Sequence, residues 1–376
     1  MVTGFQKAIR LDSKLRRAAR AAVTDVIGLK PKERVLIITN PEEEVLRISQ
    51  ALYDATLSAS CSPTLIIQPT KAQTDMAEDS VIRAIQSNPE VVISISHRKL
   101  GKDRFGLRKL YLGTEKDYDH IFRYLLEEKK IRSFWSPGVT LDMFRETVPI
   151  DYRDLRRRAS KLKRVLDASD WLTVEAPAGT DIGIGLRGRK ARKDDGDFRI
   201  PGKGGNLPSG EVYVSPELGS SKGTIVFDGS FATGDGELIV EHPVEVEVEG
   251  GFVSRIRGSK EARLLRRALK KGEQIAMAMA EEGGLTKVQA RRYARNASNI
   301  GEFGMGLNPK AKIVGNILED EKVFGTCHIA MGSNYDEDAK AMIHLDGIIH
   351  KPTITAYRKG KATMLMKGGK LEKRFL

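Results

Sequence analysis

The sequence predicts an α/β N-terminal domain with a parallel sheet over residues 1–168, followed by a β-rich α+β C-terminal domain over residues 169–376. Three observations carry this expectation. Short apolar runs alternate with helix-length periodic segments in the first part. Strand alternation and glycine turns take over from about Trp171. A chain of 376 residues is also longer than one hydrophobic core ordinarily organises.

The elements follow in order. The basic, amphipathic start through Val23 predicts a first helix. It lacks the apolar core of a secretory signal, and Asp12 and Asp25 interrupt the charge pattern of a transit peptide. Arg34–Ile38 reads as a buried strand, stopped by Asn40 and Pro41. Val45, Leu46, Ile48, Leu52 and Leu57 place a helix over residues 42–58. Thr64–Ile67 and Val91–Ile95 are further strands, with helices over residues 79–87, 118–129 and, from Asp151, a basic one ending near Leu166. Strands separated by such helices require crossover connections, hence parallel pairing. The turn after the first strand, TNPEEE, has no glycines. Its acidic side chains suit a helix N-terminus but would repel a pyrophosphate, which argues against a dinucleotide site. In the second part, Thr173–Glu175, Asp181–Leu186 and Gly223–Phe227 read as strands. Val244–Glu249, a Gly250–Gly251 turn and Phe252–Ile256 form a hairpin with valines on one face and glutamates on the other. Helices over residues 260–282 and 285–297 follow, then a closing hairpin, Thr353–Tyr357 with Ala362–Met366.

The charge is +13, from 63 Lys and Arg against 50 Asp and Glu. The excess is dispersed and lacks interleaved aromatics, so neither nucleic acid nor a membrane is an expected partner. Its densest cluster, Arg156 to Arg164, lies on a helix whose Leu155, Leu162 and Leu166 make an apolar stripe, and reads as a solvated face. A basic rim attracting an anionic substrate is the other reading. No apolar run reaches the ~18 residues of a membrane span. Two cysteines, Cys61 and Cys327, cannot build a disulfide framework and suit the cytoplasm.

Of six histidines, His97, His120, His242 and His350 lack evident partners in sequence and are expected to be structural or exposed. His328 and His344 sit in apolar surroundings, GTCHIAMGSN and AMIHLDGIIH, where a polar side chain needs a reason to be present. On a strand, His344 and Asp346 would share a face, a compact way to hold a divalent metal, or simply a hydrogen-bonded pair. Glu302, within NIGEFGMGLNP, is expected to be partly buried, a costly state for a carboxylate unless paired or metal-bound. Glu211, in NLPSGEVYVSP, would on its own pass for a strand-edge surface residue.

Taken in order, APAGTDIGIGL, NLPSGEVYVSP, NIGEFGMGLNP, EDEKVFGTCHIAMGSNY and MIHLD resemble the aminopeptidase T family of metallo-aminopeptidases. The resemblance covers roughly residues 170–366 and is only architectural before that. It implies a centre of two divalent ions (Zn, Co or Mn) held by Glu211, Glu302, Glu321, His328, His344 and Asp346, although the loop from Asp320 to His328 is longer than in that family. It also implies Tyr335 as the catalytic tyrosine, Glu302 as proton carrier, a peptide substrate and a homodimer. Tyr335 alone reads equally as a residue of a solvated loop. Mononuclear iron enzymes of the same fold, which open hydroxylated pyridine rings, share PSG, GTIVFDG, EVEVEGGFVSRIRG and HLD with this chain. They carry histidine where this chain has Glu302 and lack ligands matching Glu211 and His328. The expected activity is therefore two-metal aminopeptidase hydrolysis, with a ring-cleaving iron dioxygenase as the alternative and a non-enzymatic basic binding protein behind both.

Overall fold

The computed structural model describes residues 12–72, 75–233, 236–282 and 284–376. The start of the expected first helix lies outside them. Within them a helix runs Ser13–Ala21, capped by Asp12, which accepts from the Leu15 amide at 2.8 Å.

The chain forms two compact units. One runs up to Arg153 and includes Asp194–Ser209; the other comprises Asp154–Lys193 and Gly210–Leu376. The break expected after residue 168 therefore falls one helix late. All but the first two residues of helix Tyr152–Ala168 belong to the second unit, and Leu155, Leu162 and Leu166 are buried. Lys161 Nζ donates to the carbonyl oxygens of Arg374 and Leu376 at 2.9 and 3.1 Å. An apolar stripe selects its partner through tertiary contact, which a local change in composition does not report.

The first unit contains a parallel sheet in the order Gly204–Asn206, Arg132–Pro137, Val91–Ser96, Arg34–Thr39, Ser62–Ile67. Val91–Ser96 is buried along its whole length, as a strand covered on both faces must be. The two strands not expected from sequence are Arg132–Pro137 and Gly204–Asn206. The former begins with a buried arginine whose Nη2 lies 2.5 Å from Glu33 and whose Nε donates to the Ile27 carbonyl at 3.0 Å. A charged first residue hides such a strand from hydropathy. The helix expected over 118–129 is shorter, Ile121–Glu127, because Asp117–Tyr118 pairs as a strand with Tyr111–Leu112.

The second unit holds two antiparallel arrangements. One has the order Phe252–Arg257, Val244–Glu249, Lys222–Phe227, Asp181–Gly185, Trp171–Glu175, Thr353–Arg358, Lys361–Lys367, Lys370–Leu371. Val244, Val246 and Val248 are buried while the intervening glutamates are not, as the alternation requires. Helix Lys260–Glu281 follows. Helix Lys287–Asn296 then opens with a reciprocal cap between Thr286 and Gln289. In the other sheet, Glu237–Ile239, Ser230–Ala232, His344–His350, Thr326–Gly332, Ile300–Gly306 and Glu211–Val214 lie side by side in that order. Among the described residues, no helix is long and apolar enough to cross a membrane.

Candidate metal centre

Four neighbouring strands of this last sheet place the site by register alone. Residues directly opposite in an antiparallel pair share a face, and residues two apart on one strand do too. His344 and Asp346 thus point the same way. His328 lies opposite Ile348, which continues that face. Gly304 lies opposite His328, which brings Glu302, two residues back, onto it; Glu211 lies opposite Gly306 and joins as well. Five of the six expected ligands therefore converge from the sheet. The sixth, Glu321, follows the short helix Ile317–Asp320.

The run Glu302–Phe303–Gly304–Met305–Gly306 is legible in these terms. Phe303 and Met305 are fully buried and alternate with the site-facing positions. Those positions need glycine. A Cβ on Gly304 would lie 2.0 Å from His328 Nε2, and one on Gly306 would lie 2.1 Å from the Val323 carbonyl oxygen. The bare backbone makes room for the imidazole.

Two donor groups result: Glu211, Glu321 and His328, and Glu302, His344 and Asp346. Glu302 joins them. Its Oε1 lies 3.2 Å from His328 Nε2 and its Oε2 lies 3.2 Å from His344 Nε2. His328 Nε2 also lies 3.3 Å from Glu211 Oε2, and His344 Nε2 lies 3.4 Å from Asp346 Oδ1. The Ser333 carbonyl is 2.8 Å from His344 Nδ1. A carbonyl only accepts, so Nδ1 carries a proton and Nε2 faces the carboxylates. Glu302, Glu211 and His328 are buried, and His344 is a quarter exposed at its side chain.

The charges are strongly coupled. Burial opposes charging of His328, but the Glu302 hydrogen bond and the Glu211 charge raise it to about 9. Burial likewise opposes charge on His344, and Asp346 and Glu302 overcome it. Asp346 is held down to about 2: burial pushes it up, and His344 outweighs burial. Glu211 rises to about 8 because desolvation exceeds the pull of Lys322 and His328.

Lys322 is a site residue that the sequence reading did not single out. It has no exposed side-chain surface, its Nζ lies 2.5 Å from Glu211 Oε1, and it also contacts Glu321 Oε1. Sequence offers no signal for it: Lys322 closes the charged run Glu319–Asp320–Glu321, which reads as a solvated turn. Tyr335 packs its ring 5.4 Å from the His344 ring and 5.0 Å from that of Tyr213. Tyr335 as a whole is exposed, but desolvation around its hydroxyl, then Glu302 and Asp346, push that group above the usual phenol range, so it is a neutral proton donor.

Two of the other histidines have partners of their own. His120 caps helix Ile121–Glu127, its Nδ1 accepting from the Phe122 amide at 3.1 Å. His242, expected to lack a partner, sits 3.5 Å from buried Glu261 and groups with Glu241.

The donor set suits a divalent cation. Buried Glu211 Oε2 and Asp346 Oδ1 meet only long imidazole contacts of 3.3 and 3.4 Å and no well-formed hydrogen bond, and buried carboxylate oxygens so poorly satisfied are suited to a metal ion. Mixed carboxylate and imidazole donors fit Zn, Mn, Co or Fe.

The fold and this site define an enzyme whose carboxylate–histidine centre lies on one face of an antiparallel sheet. Residues 141–328 match the model of the NicX family, described as 2,5-dihydroxypyridine 5,6-dioxygenase, and the chain belongs to that family. A 2,5-dihydroxypyridine 5,6-dioxygenase of Pseudomonas putida KT2440 is 29% identical over 117 residues, 31% of this chain and 33% of that protein. The match thus spans a third of the curated relative's length. The solved 2,5-dihydroxypyridine dioxygenase of the same organism superimposes with a TM-score of 0.70 at 18% identity, over 97% of this chain and 99% of that one. AmpT of Thermus thermophilus, an aminopeptidase T, gives 0.66 at 18% identity, over 95% and 98%. Both likenesses establish the shared fold: a parallel α/β part followed by a β-rich part.

Proposed function

We propose that this chain is a metal-dependent hydrolase that removes N-terminal residues from peptides. The observation that carries the reading is Glu302, whose two oxygens face different histidines and tie two donor groups into one centre. A divalent ion bound by Glu302, His344 and Asp346 would supply Lewis acidity and a lowered water pKa. The chain's own residues do the rest. The Ser333 carbonyl fixes the His344 ring so that Nε2 is presented to the ion. Glu302 or Glu321 takes the proton of the attacking water. Tyr335 donates to the oxyanion that develops on the scissile carbonyl, a contact worth ~3 kcal/mol in comparable sites. The surplus of carboxylates favours a substrate with a free α-ammonium, which accounts for action at the N-terminus. The cytoplasm is the proposed compartment, on the strength of two free, buried thiols. A homodimer is proposed from the family resemblance.

A second reading is ring opening of a dihydroxylated pyridine by iron and oxygen. The family model and the Pseudomonas putida relative favour it, and Glu302 between His328 and His344 offers a two-histidine, one-carboxylate set. Against it stand the additional carboxylates Glu211, Glu321 and Asp346 around the same centre.

One experiment separates them. Metal-stripped protein reloaded with Zn, Mn or Co is expected to hydrolyse amino-acid anilides, with chelation abolishing turnover. His344→Ala and Asp346→Ala are expected to lose both tight metal binding and turnover while keeping the wild-type far-UV spectrum. Iron-loaded protein that consumes oxygen with 2,5-dihydroxypyridine and leaves anilides intact would establish the second reading.

A further inference from the structure

The two donor groups are not equivalent, because a lysine ammonium is built into one of them. Among the described residues, Lys322 stands with Phe, Leu and Ile as one of the largest fully buried side chains. Its Nζ lies 2.5 Å from Glu211 Oε1 and contacts Glu321 Oε1, so it bridges both carboxylates of the group that includes His328. The side-chain contacts of Glu302 and Asp346 are with the imidazoles of His328 and His344. The lysine backbone is also pinned. Its amide donates to the Glu319 carbonyl at 2.9 Å, and its own carbonyl accepts from the Asn308 amide at 2.8 Å. The neighbouring Val323 pairs with Asn308 in a parallel bridge. The side chain therefore leaves from a fixed point into a fully covered pocket, with no exposed surface along which to swing out.

We infer that the Lys322 ammonium is the resident cation of the Glu211–Glu321–His328 group, so that the centre takes one divalent ion, at Glu302–His344–Asp346. This rests on the metal-dependent reading above and narrows its two-ion expectation. The reasoning is electrostatic. An ammonium wedged between two carboxylates supplies their counter-charge and uses the oxygen lone pairs a metal would need. A divalent ion in that group would have to sit beside an unscreened like charge in a buried site. The other group sets its two carboxylates against imidazole, which gives up its proton and becomes a ligand when a metal enters, so it retains the capacity for a divalent ion. Lys322 is a positioning residue in this scheme: it orients Glu211 and Glu321 and sets the stoichiometry.

The test is a count of ions rather than turnover. Metal-stripped wild-type protein is titrated with Mn²⁺, and bound metal is measured by elemental analysis and electron paramagnetic resonance. One ion per chain is expected, with the six-line signal of isolated Mn²⁺ and no spin-coupled pair. Lys322→Met is expected to bind two, with coupling between them, and Lys322→Arg is expected to stay at one. Two coupled ions in the wild-type protein would overturn the inference and leave the hydrolase reading intact. The same is true of a folded Lys322→Met protein that still binds one. Should Lys322→Met fail to fold, the wild-type spectrum alone decides. Wild-type protein that binds no divalent ion at all would remove the metal-dependent reading and this inference together.

Discussion

At the scale of single residues, the centre depends on where side chains are absent as much as on where they are present. Gly304 lies directly across from His328, and a methyl group there would overlap the imidazole. Gly304→Ala is expected to cost about 1–3 kcal/mol, the usual consequence of overpacking, and to weaken metal binding because His328 must turn away. Chemical denaturation and a metal titration of the same variant check both halves. Proton balance gives another expectation. His328 is raised to about 9 by Glu302 and Glu211 against the effect of burial, so at neutral pH a metal entering beside it must displace protons. Calorimetric titration in buffers of different ionisation enthalpy is expected to show proton release, and apparent affinity should fall as pH falls. In metal-stripped protein the stability linkage has the sign proper to a raised histidine. Its contribution is complete below the ordinary value of 6.5 and is lost as pH climbs through about 9. A flat affinity profile between those values would contradict the assignment.

At the scale of elements, strands carry all the candidate ligands but Glu321, which fixes those donor positions to the spacing of a sheet. His344, Asp346, His328, Glu302 and Glu211 occupy one face because the registers of four strands agree. A bulge between Ile300 and Glu302 occurs where the pairing reaches the site, a common place for one. In the first unit the corresponding tie is Arg132, which starts an inner strand and is held by Glu33 and by the Ile27 and Gly28 carbonyls. Removing one partner of a buried pair strands the other, so Arg132→Ala is expected to cost about 3–5 kcal/mol. Urea denaturation measures this. A loss below 1 kcal/mol would mean that the pair is solvated and dispensable.

At the scale of the molecule, the chain divides into two compact units, and every candidate ligand lies in the second. A bound ion stabilises what it touches by mass action, about 2.7 kcal/mol at a concentration one hundred times its Kd. Hydrogen exchange with and without metal is therefore expected to slow most in Ile300–Gly306, Thr326–Gly332 and His344–His350, with little change in the parallel sheet around Val91–Ser96. Uniform slowing across both units would show that they respond as one. The family comparison belongs to this scale too. One fold, with TM-scores of 0.70 and 0.66 to a dioxygenase and an aminopeptidase T, hosts both chemistries, so the choice between them rests on the donor set and not on the fold.

Periodicity alone gave the alternating α/β start, the valine–glutamate hairpin and the long helices that follow, because each is dictated by which neighbours in sequence share a face. The same rule made His344 and Asp346 a pair, and the glycine-spaced run around Glu302 already contained its alternation of core and site. What the chain could not declare locally was decided by contact between distant segments. Helix Tyr152–Ala168 joins the second unit, Arg132 is buried because Glu33 and two carbonyls receive it, and Glu302 meets two histidines at once. Lys322 is the clearest case: its charge reads as surface in sequence, and only the folded sheet encloses it between two carboxylates.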